Sequence, residues 1–336
     1  MIDTVAFHRA LRRRLVPVLA AVACCATLPA AAQNTAAPWP AKPIRLVVGF
    51  AAGGPTDVVA RAFAEHAARA LGQPVIVDNK PGANTILAAE AVAQAPADGH
   101  TLLLGATNHT MIPALYAARV KFDAVKSFAP VCTLASSPTV LVVGPAMQAR
   151  TLGAFVQAVR AQPGARTYGT PGVGSSGHFA TEEFLRSQGL SMNHVPYKGA
   201  APVVTDLMGG QLDSSLATLG SVLAQVEAGK LTALAIGSSK RSALLPQVPT
   251  FAEAGVPGFT AEAWYGLLAP AGTPPAVLDA LEKVARQFAQ SPALTSRLQS
   301  LGLEPQSTCR DAFGAGMARE VATYGRLAQA LQLKVE

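Results

Sequence analysis

Cysteine is scarce in this sequence, and so are aromatic and charged residues. Of the four cysteines, Cys24 and Cys25 lie in an N-terminal segment with export character, which leaves Cys132 and Cys309. One pair is too few for a disulfide framework and has no metal-type spacing. Two separate buried thiols are the expected state, and a single bridge in an oxidising compartment is the alternative. The histidines after the first segment (His66, His100, His109, His178, His194) form no HExxH or HxxxH pair, so neither a metal nor another cofactor is expected. No basic cluster follows Arg14, which argues against a nucleic-acid surface. There is one long apolar run, Leu15 to Leu28. It is shorter than the roughly 20 residues that span a bilayer and is interrupted by Pro17.

That run sits behind His8, Arg9, Arg12, Arg13 and Arg14 and ends at Ala30-Ala31-Ala32, the grammar of a secretory signal peptide. Residues 1–32 are read as the signal, with the mature chain starting near Gln33 in the periplasm. A lipoprotein box at Val22-Ala23-Cys24 and a twin-arginine route are the rival readings. Removing the segment takes away four Arg and one Asp, leaving 23 basic and 19 acidic residues, net +4. That excess slightly favours an anionic ligand. About 304 mature residues exceed what one core usually holds, so two lobes are expected.

From Pro43 onward, β-rich runs alternate with amphipathic segments: Ile44–Phe50 then Asp57–Leu71, Val75–Val77 then Ile86–Ala95, Thr101–Leu104. Alternation of this kind predicts a parallel α/β sheet flanked by helices. A second series runs from Thr139 to Ile236 and predicts a second α/β lobe. Val277, Leu281, Val284 and Phe288, then Phe313, Met317, Val321 and Tyr324, mark two terminal helices with no sheet of their own. The chain is therefore expected to cross back near Ala261 and pack these helices on the first lobe. The boundaries that follow are 33–138 plus 262–336 for lobe one and 139–261 for lobe two, with two crossovers and a cleft at a hinge.

Two glycine turns carry the chemistry. Phe50-Ala51-Ala52-Gly53-Gly54-Pro55-Thr56-Asp57 links a strand to a helix start, whose free N–H groups and positive dipole end suit a carboxylate. As a plain structural feature it is a tight turn with a helix cap. No Lys-Ser or Lys-Thr pair makes it a P-loop. Gly172, Gly174 and Gly177 match GxGxxG between strand and helix. The following strand ends in Val195-Pro196-Tyr197-Lys198-Gly199, without the acid that would hold a ribose. A second anion-binding turn is preferred, with Ser175 and Ser176 as hydroxyl donors. His178 stands where a nucleophile elbow requires glycine, so hydrolase chemistry has little support. Shorter polar stretches after strands, among them Asn84-Thr85, Thr107 and Thr218, also reach a cleft at the strand ends.

At these residues the sequence resembles the Bug family of periplasmic receptors, the solute-binding components of tripartite tricarboxylate transporters. The matching strings run in order: Trp39 to Ile44, Gly53 to Asp57, Val77 to Ala83, Ala97 to Leu102, Val195 to Gly199, Pro249 to Gly255 and Leu268 to Pro274. The resemblance implies a two-lobed periplasmic-binding-protein (Venus flytrap, type II) fold. It also implies a carboxylate held by the loops Phe50 to Asp57 and Gly82 to Thr85, by Gly172 to His178, and by Tyr197 and Lys198. With the residues read above, the expected ligand set is Phe50, Ala51, Gly53, Gly54, Asp57, Asn84, Thr85, Thr107, Gly174, Ser175, Ser176, His178, Tyr197, Lys198 and Thr218. The implied partners are a small carboxylate and the integral-membrane permease, with the receptor a monomer.

The chain departs from the family pattern at four places. Gly49 stands where Pro is usual, Asn84-Thr85 where glycines are usual, Ala217 where an acid is common, and Gly220 where Pro is common. Without that acid a ligand ammonium loses a partner, which favours a plain mono- or dicarboxylate over an amino acid. The rival functions are a periplasmic enzyme using Ser175 or His178 on a carboxylated substrate, and a sensor subunit using the same cleft.

Overall fold

The computed structural model describes residues 39–331; the expected signal peptide lies outside them. The first half opens with β1 (Ile44–Val48), α1 (Pro55–Leu71), β2 (Val75–Asn79), a 3-10 turn (Ala83–Thr85), α2 (Ile86–Ala93), β3 (Thr101–Ala106) and α3 (Asn108–Tyr116). Strand β1 pairs in parallel with β2 on one side and β3 on the other. Helix α1 has Pro55 in its first turn, where the missing N–H is harmless. It ends at Gly72, whose φ of 68° is the left-handed cap conformation. Its apolar stripe, including Val59, Phe63 and Ala67, is fully buried in the first core.

The long strand β4 (Phe128–Val143) then carries the chain out of this sheet. It leads to α4 (Leu152–Ala161), β5 (Thr167–Thr170), α5 (Ser176–Gln188), β6 (Asn193–Pro196), α6 (Ala200–Met208), β7 (Ser214–Thr218), α7 (Leu219–Glu227) and β8 (Thr232–Ile236). Strand β9 (Glu262–Pro270) returns, followed by α8 (Pro275–Gln290), α9 (Pro292–Gln299), the short β10 (Glu304–Pro305) and α10 (Arg310–Ala330).

Strand order is β2-β1-β3-β9-β4-β7-β5-β6, with β8 and β10 also on β4. From Phe128 to Pro138, β4 runs antiparallel to β9; from Thr139 to Val143 it pairs instead with β7 and β8. One strand thus belongs to two sheets. Beside the change-over, Thr139 and Gly237 bond to the stretch at Ala261: the Thr139 N–H donates to Ala261 O and the Ala261 N–H to Gly237 O.

The terminal helices pack on the first sheet. Leu281, Val284 and Phe288 of α8 share a core with Leu46, Phe63 and Leu267, and the Phe63 and Phe288 rings meet edge-on at 5.6 Å. The second sheet has its own core, where Phe184, Phe251 and Phe259 form a trio with centroids 4.5 to 5.9 Å apart. Aromatic pairs of this kind add about 0.5–1.5 kcal/mol each beyond the area they bury.

The cysteines correct the sequence reading. Cys132 and Cys309 are not separate thiols; they form a disulfide linking β4 to the residue before α10. An antiparallel bridge between the two residues, flanked by a Thr133 N–H to Thr308 O bond of 2.8 Å, brings the backbones together. A separation of 177 residues left no local signal of this contact. Among the described residues no helix is long and apolar enough to cross a membrane.

Candidate ligand site

A cavity of about 640 Å³, part of it open to solvent, lies between the two sheets. Its walls hold the first residues of five helices: Gly54 to Thr56 of α1, Thr107 and Asn108 of α3, Ser175 and Ser176 of α5, Gly199 to Pro202 of α6, and Thr218 and Ser221 of α7. Only α5 has a side-chain cap, the Ser175 hydroxyl accepting from the His178 N–H at 3.3 Å. The starts of α1, α3, α6 and α7 have no side-chain cap. Helix starts present N–H donors and the positive end of the dipole. None of the lining side chains bears a charge. The cavity can therefore hold an anion with backbone and hydroxyl donors alone.

Of the residues expected from sequence, Phe50, Ala51 and Gly54 line this cavity from the first turn, Thr107 from α3, and Ser175, Ser176 and Thr218 from the second half. Asn84, Thr85, Tyr197 and Lys198 line a second, outer cavity that shares Phe50 and Pro171 with it. The Tyr197 hydroxyl donates to Asp206 at 2.6 Å. Burial and that carboxylate push its pKa up to about 12. The two halves touch at this mouth, where the Tyr116 hydroxyl donates to Val173 O at 3.2 Å.

Gly53, Asp57, Gly174 and His178 line neither cavity. Asp57 is buried beneath the first turn, where its carboxylate accepts from the Gly53 N–H at 3.0 Å, Arg61 Nε at 2.8 Å and Asn79 Nδ2 at 3.0 Å. Burial raises its pKa, but those three donors outweigh it and hold the carboxyl below the usual range. Asn79 Nδ2 also donates to Phe50 O at 3.0 Å, so Asp57 and Asn79 together set the turn.

His178 plays the matching part in the second half. Its Nδ1 accepts the Gly174 N–H at 3.1 Å, and its ring stacks on His194 at 4.1 Å. His194 stacks in turn on Tyr168 and meets Thr170 Oγ1 at 2.6 Å. The Tyr168 hydroxyl donates to Glu182. Burial pulls His178 down to about 3 and His194 to about 4, so both are neutral near pH 7.

The Gly82 to Thr85 loop is unusual. Ala83, Asn84 and Thr85 have φ of 45°, 50° and 71°, a left-handed run that side chains rarely adopt. Thr85 Oγ1 accepts from Asn108 Nδ2 at 2.7 Å, joining this loop to α3. A Cβ on Gly49 would stand 2.3 Å from Thr85 Cβ. Thr85 thus fills the space that a larger residue at 49 would need.

A family model described as the tripartite tricarboxylate transporter family receptor matches residues 59–333. The chain belongs to this family. The receptor is 35% identical over 300 residues to protein BugT of Bordetella pertussis, covering 89% of this chain and 92% of BugT. Among solved structures, the periplasmic binding protein BugD is 30% identical, with a TM-score of 0.83 and coverage of 89% and 100%. An R. palustris protein solved with adipate is 32% identical, with a TM-score of 0.85 and coverage of 88% and 99%. The receptor has the two-lobed α/β fold of these periplasmic binding proteins, and the resemblance to the Bug family holds.

Sequence reasoning missed the contribution of Ala200 to Pro202, Ser221 and Tyr265 to the cavity walls. The Ala200 segment follows the Tyr197-Lys198-Gly199 string, and its glycine was the available signal. Tyr265 lies inside an apolar strand and looks like core.

Proposed function

We propose that this receptor captures a small carboxylate between its lobes, 33–138 plus 262–336 and 139–261, and presents it to the permease of a tripartite transporter. The observation that carries the reading is the set of helix starts without side-chain caps around a cavity with no charged side chain. A carboxylate would take the N–H groups of Gly54 and Thr56 and the Thr107 hydroxyl from lobe one. Ser176, Thr218 and the first turn of α6 would come from lobe two. A ligand favours closure by the contacts it makes to both lobes. That an R. palustris relative was solved with adipate supports the ligand class.

The protein acts without catalysis. Ser175 Oγ is engaged in capping its own helix, and the His178 ring is held by Gly174, so the pair forms no nucleophile and base. Its place is the periplasm, as a monomer. Calorimetric titration of the purified mature chain with a panel of carboxylates tests the reading: saturable, stoichiometric heat with unchanged ligand recovered afterwards is the expected result. Product formation, or no binding of any carboxylate, would overturn it.

A further inference from the structure

The cleft does not end at the helix starts. A small side pocket, about 380 Å³ only when the solvent-open space at its mouth is counted, runs into lobe two between α5, α6, α7 and β7. It shares Pro171, Ser176, Ala200, Thr218 and Ser221 with the main cavity, so the two adjoin across these residues. Beyond that shared rim the wall is Val203, Val204, Leu207, Ala217 and Val222, together with Leu216 and Ser215. Three of its four hydroxyls are already paired, Ser215 Oγ donating to Gly169 O at 2.8 Å and Thr218 Oγ1 and Ser221 Oγ bonding each other at 2.7 Å, and the fourth, Ser176 Oγ, stands on the rim shared with the main cavity. No side chain lining the pocket is ionisable. A charged end placed there would lose its hydration and find no opposite charge, whereas an apolar tail would leave water for a wall of its own kind.

We infer that this receptor selects monocarboxylates with a short apolar tail, the carboxylate at the helix starts of lobe one and the tail in the lobe-two pocket. The inference rests on the carboxylate reading above and sharpens it. On the β7 side the lining residues Ser215, Leu216, Ala217 and Thr218 are all uncharged.

Calorimetric titration of the mature chain with butanoate, pentanoate and hexanoate, set against succinate, glutarate and adipate, tests it. Affinity should rise about fourfold for each methylene until the tail fills the pocket. Each monocarboxylate should bind at least tenfold tighter than the dicarboxylate of equal carbon number. Val204→Phe, which narrows the pocket, should flatten the dependence on tail length. Dicarboxylates that bind as tightly as their partners, or affinity indifferent to tail length in the unmodified protein, would overturn the inference while leaving the carboxylate receptor standing. Failure of both series would remove the carboxylate reading itself.

Discussion

The two lobes solve one problem with opposite chemistry. Each must hold a glycine turn rigid at the start of a helix that faces the cleft. Lobe one pins its turn with ionised groups, Asp57 between Arg61, Asn79 and the Gly53 N–H. Lobe two pins its turn with neutral rings, His178 stacked on His194 and His194 on Tyr168, with Thr170 beside His194. Lobe one is also stapled by Cys132–Cys309, and the described residues of lobe two contain no disulfide. The difference teaches that a donor-rich turn can be fixed without placing any charge in the cleft.

The comparison can be broken first at the staple. Reduction, or Cys132→Ser with Cys309→Ser, should lower stability by about 2–4 kcal/mol in urea unfolding. The lobe-two rings should stay packed in a near-ultraviolet spectrum until the global transition. Next in size, Asp57→Ala should cost about 1–3 kcal/mol by removing a buried carboxylate that accepts from three donors. It should also weaken carboxylate binding in calorimetry, because the turn it holds carries donors. Gly49→Ala should cost a similar 1–3 kcal/mol through overpacking against Thr85, and Thr85→Gly in the same chain should return much of it. A double-mutant cycle in urea measures that coupling, and additive losses would show that the two positions do not share the space.

The smallest and most discriminating test is pH. His178 and His194 have folded pKa values below the unfolded value of about 6.5. Their stability contribution is present above pH 6.5 and is lost as pH falls toward about 4, by up to roughly 1.4 kcal/mol per pH unit for each ring. Buried His109, pulled down to about 4 by burial, adds a term of the same sign. His194→Phe should make the curve shallower in that window. Asp57, whose carboxyl is depressed, contributes stability above its unfolded pKa of about 4 and loses it only at lower pH. His109 lies in lobe one, so the contrast is between the two turns: the Gly174 turn should loosen before the Gly53 turn on acidification, which amide exchange at the two glycines would resolve.

Much of the scaffold was legible because it is local. Val59, Phe63 and Ala67 announce the buried face of α1, and the glycine turns mark where strands hand over to helices. What was hidden depends on partners far along the chain. Asp57 reads as a ligand from its place in the turn, yet Asn79 and Arg61 claim its oxygens. His178 reads likewise, but His194 arrives from the next strand and turns its ring into a prop. Pro113 inside α3 and Pro130 inside β4 argue against those elements by local rules. They are accommodated because α3 is only nine residues long and because the β4 register shifts at Pro130.

The tie between Thr139, Gly237 and Ala261 has a mechanical consequence. With both crossing segments laced together at the point where they change sheets, neither half can slide past the other or rotate about a single thread. A bend across the paired segments is then the least constrained motion, and the angle between the halves is the coordinate on which a bound ligand would act.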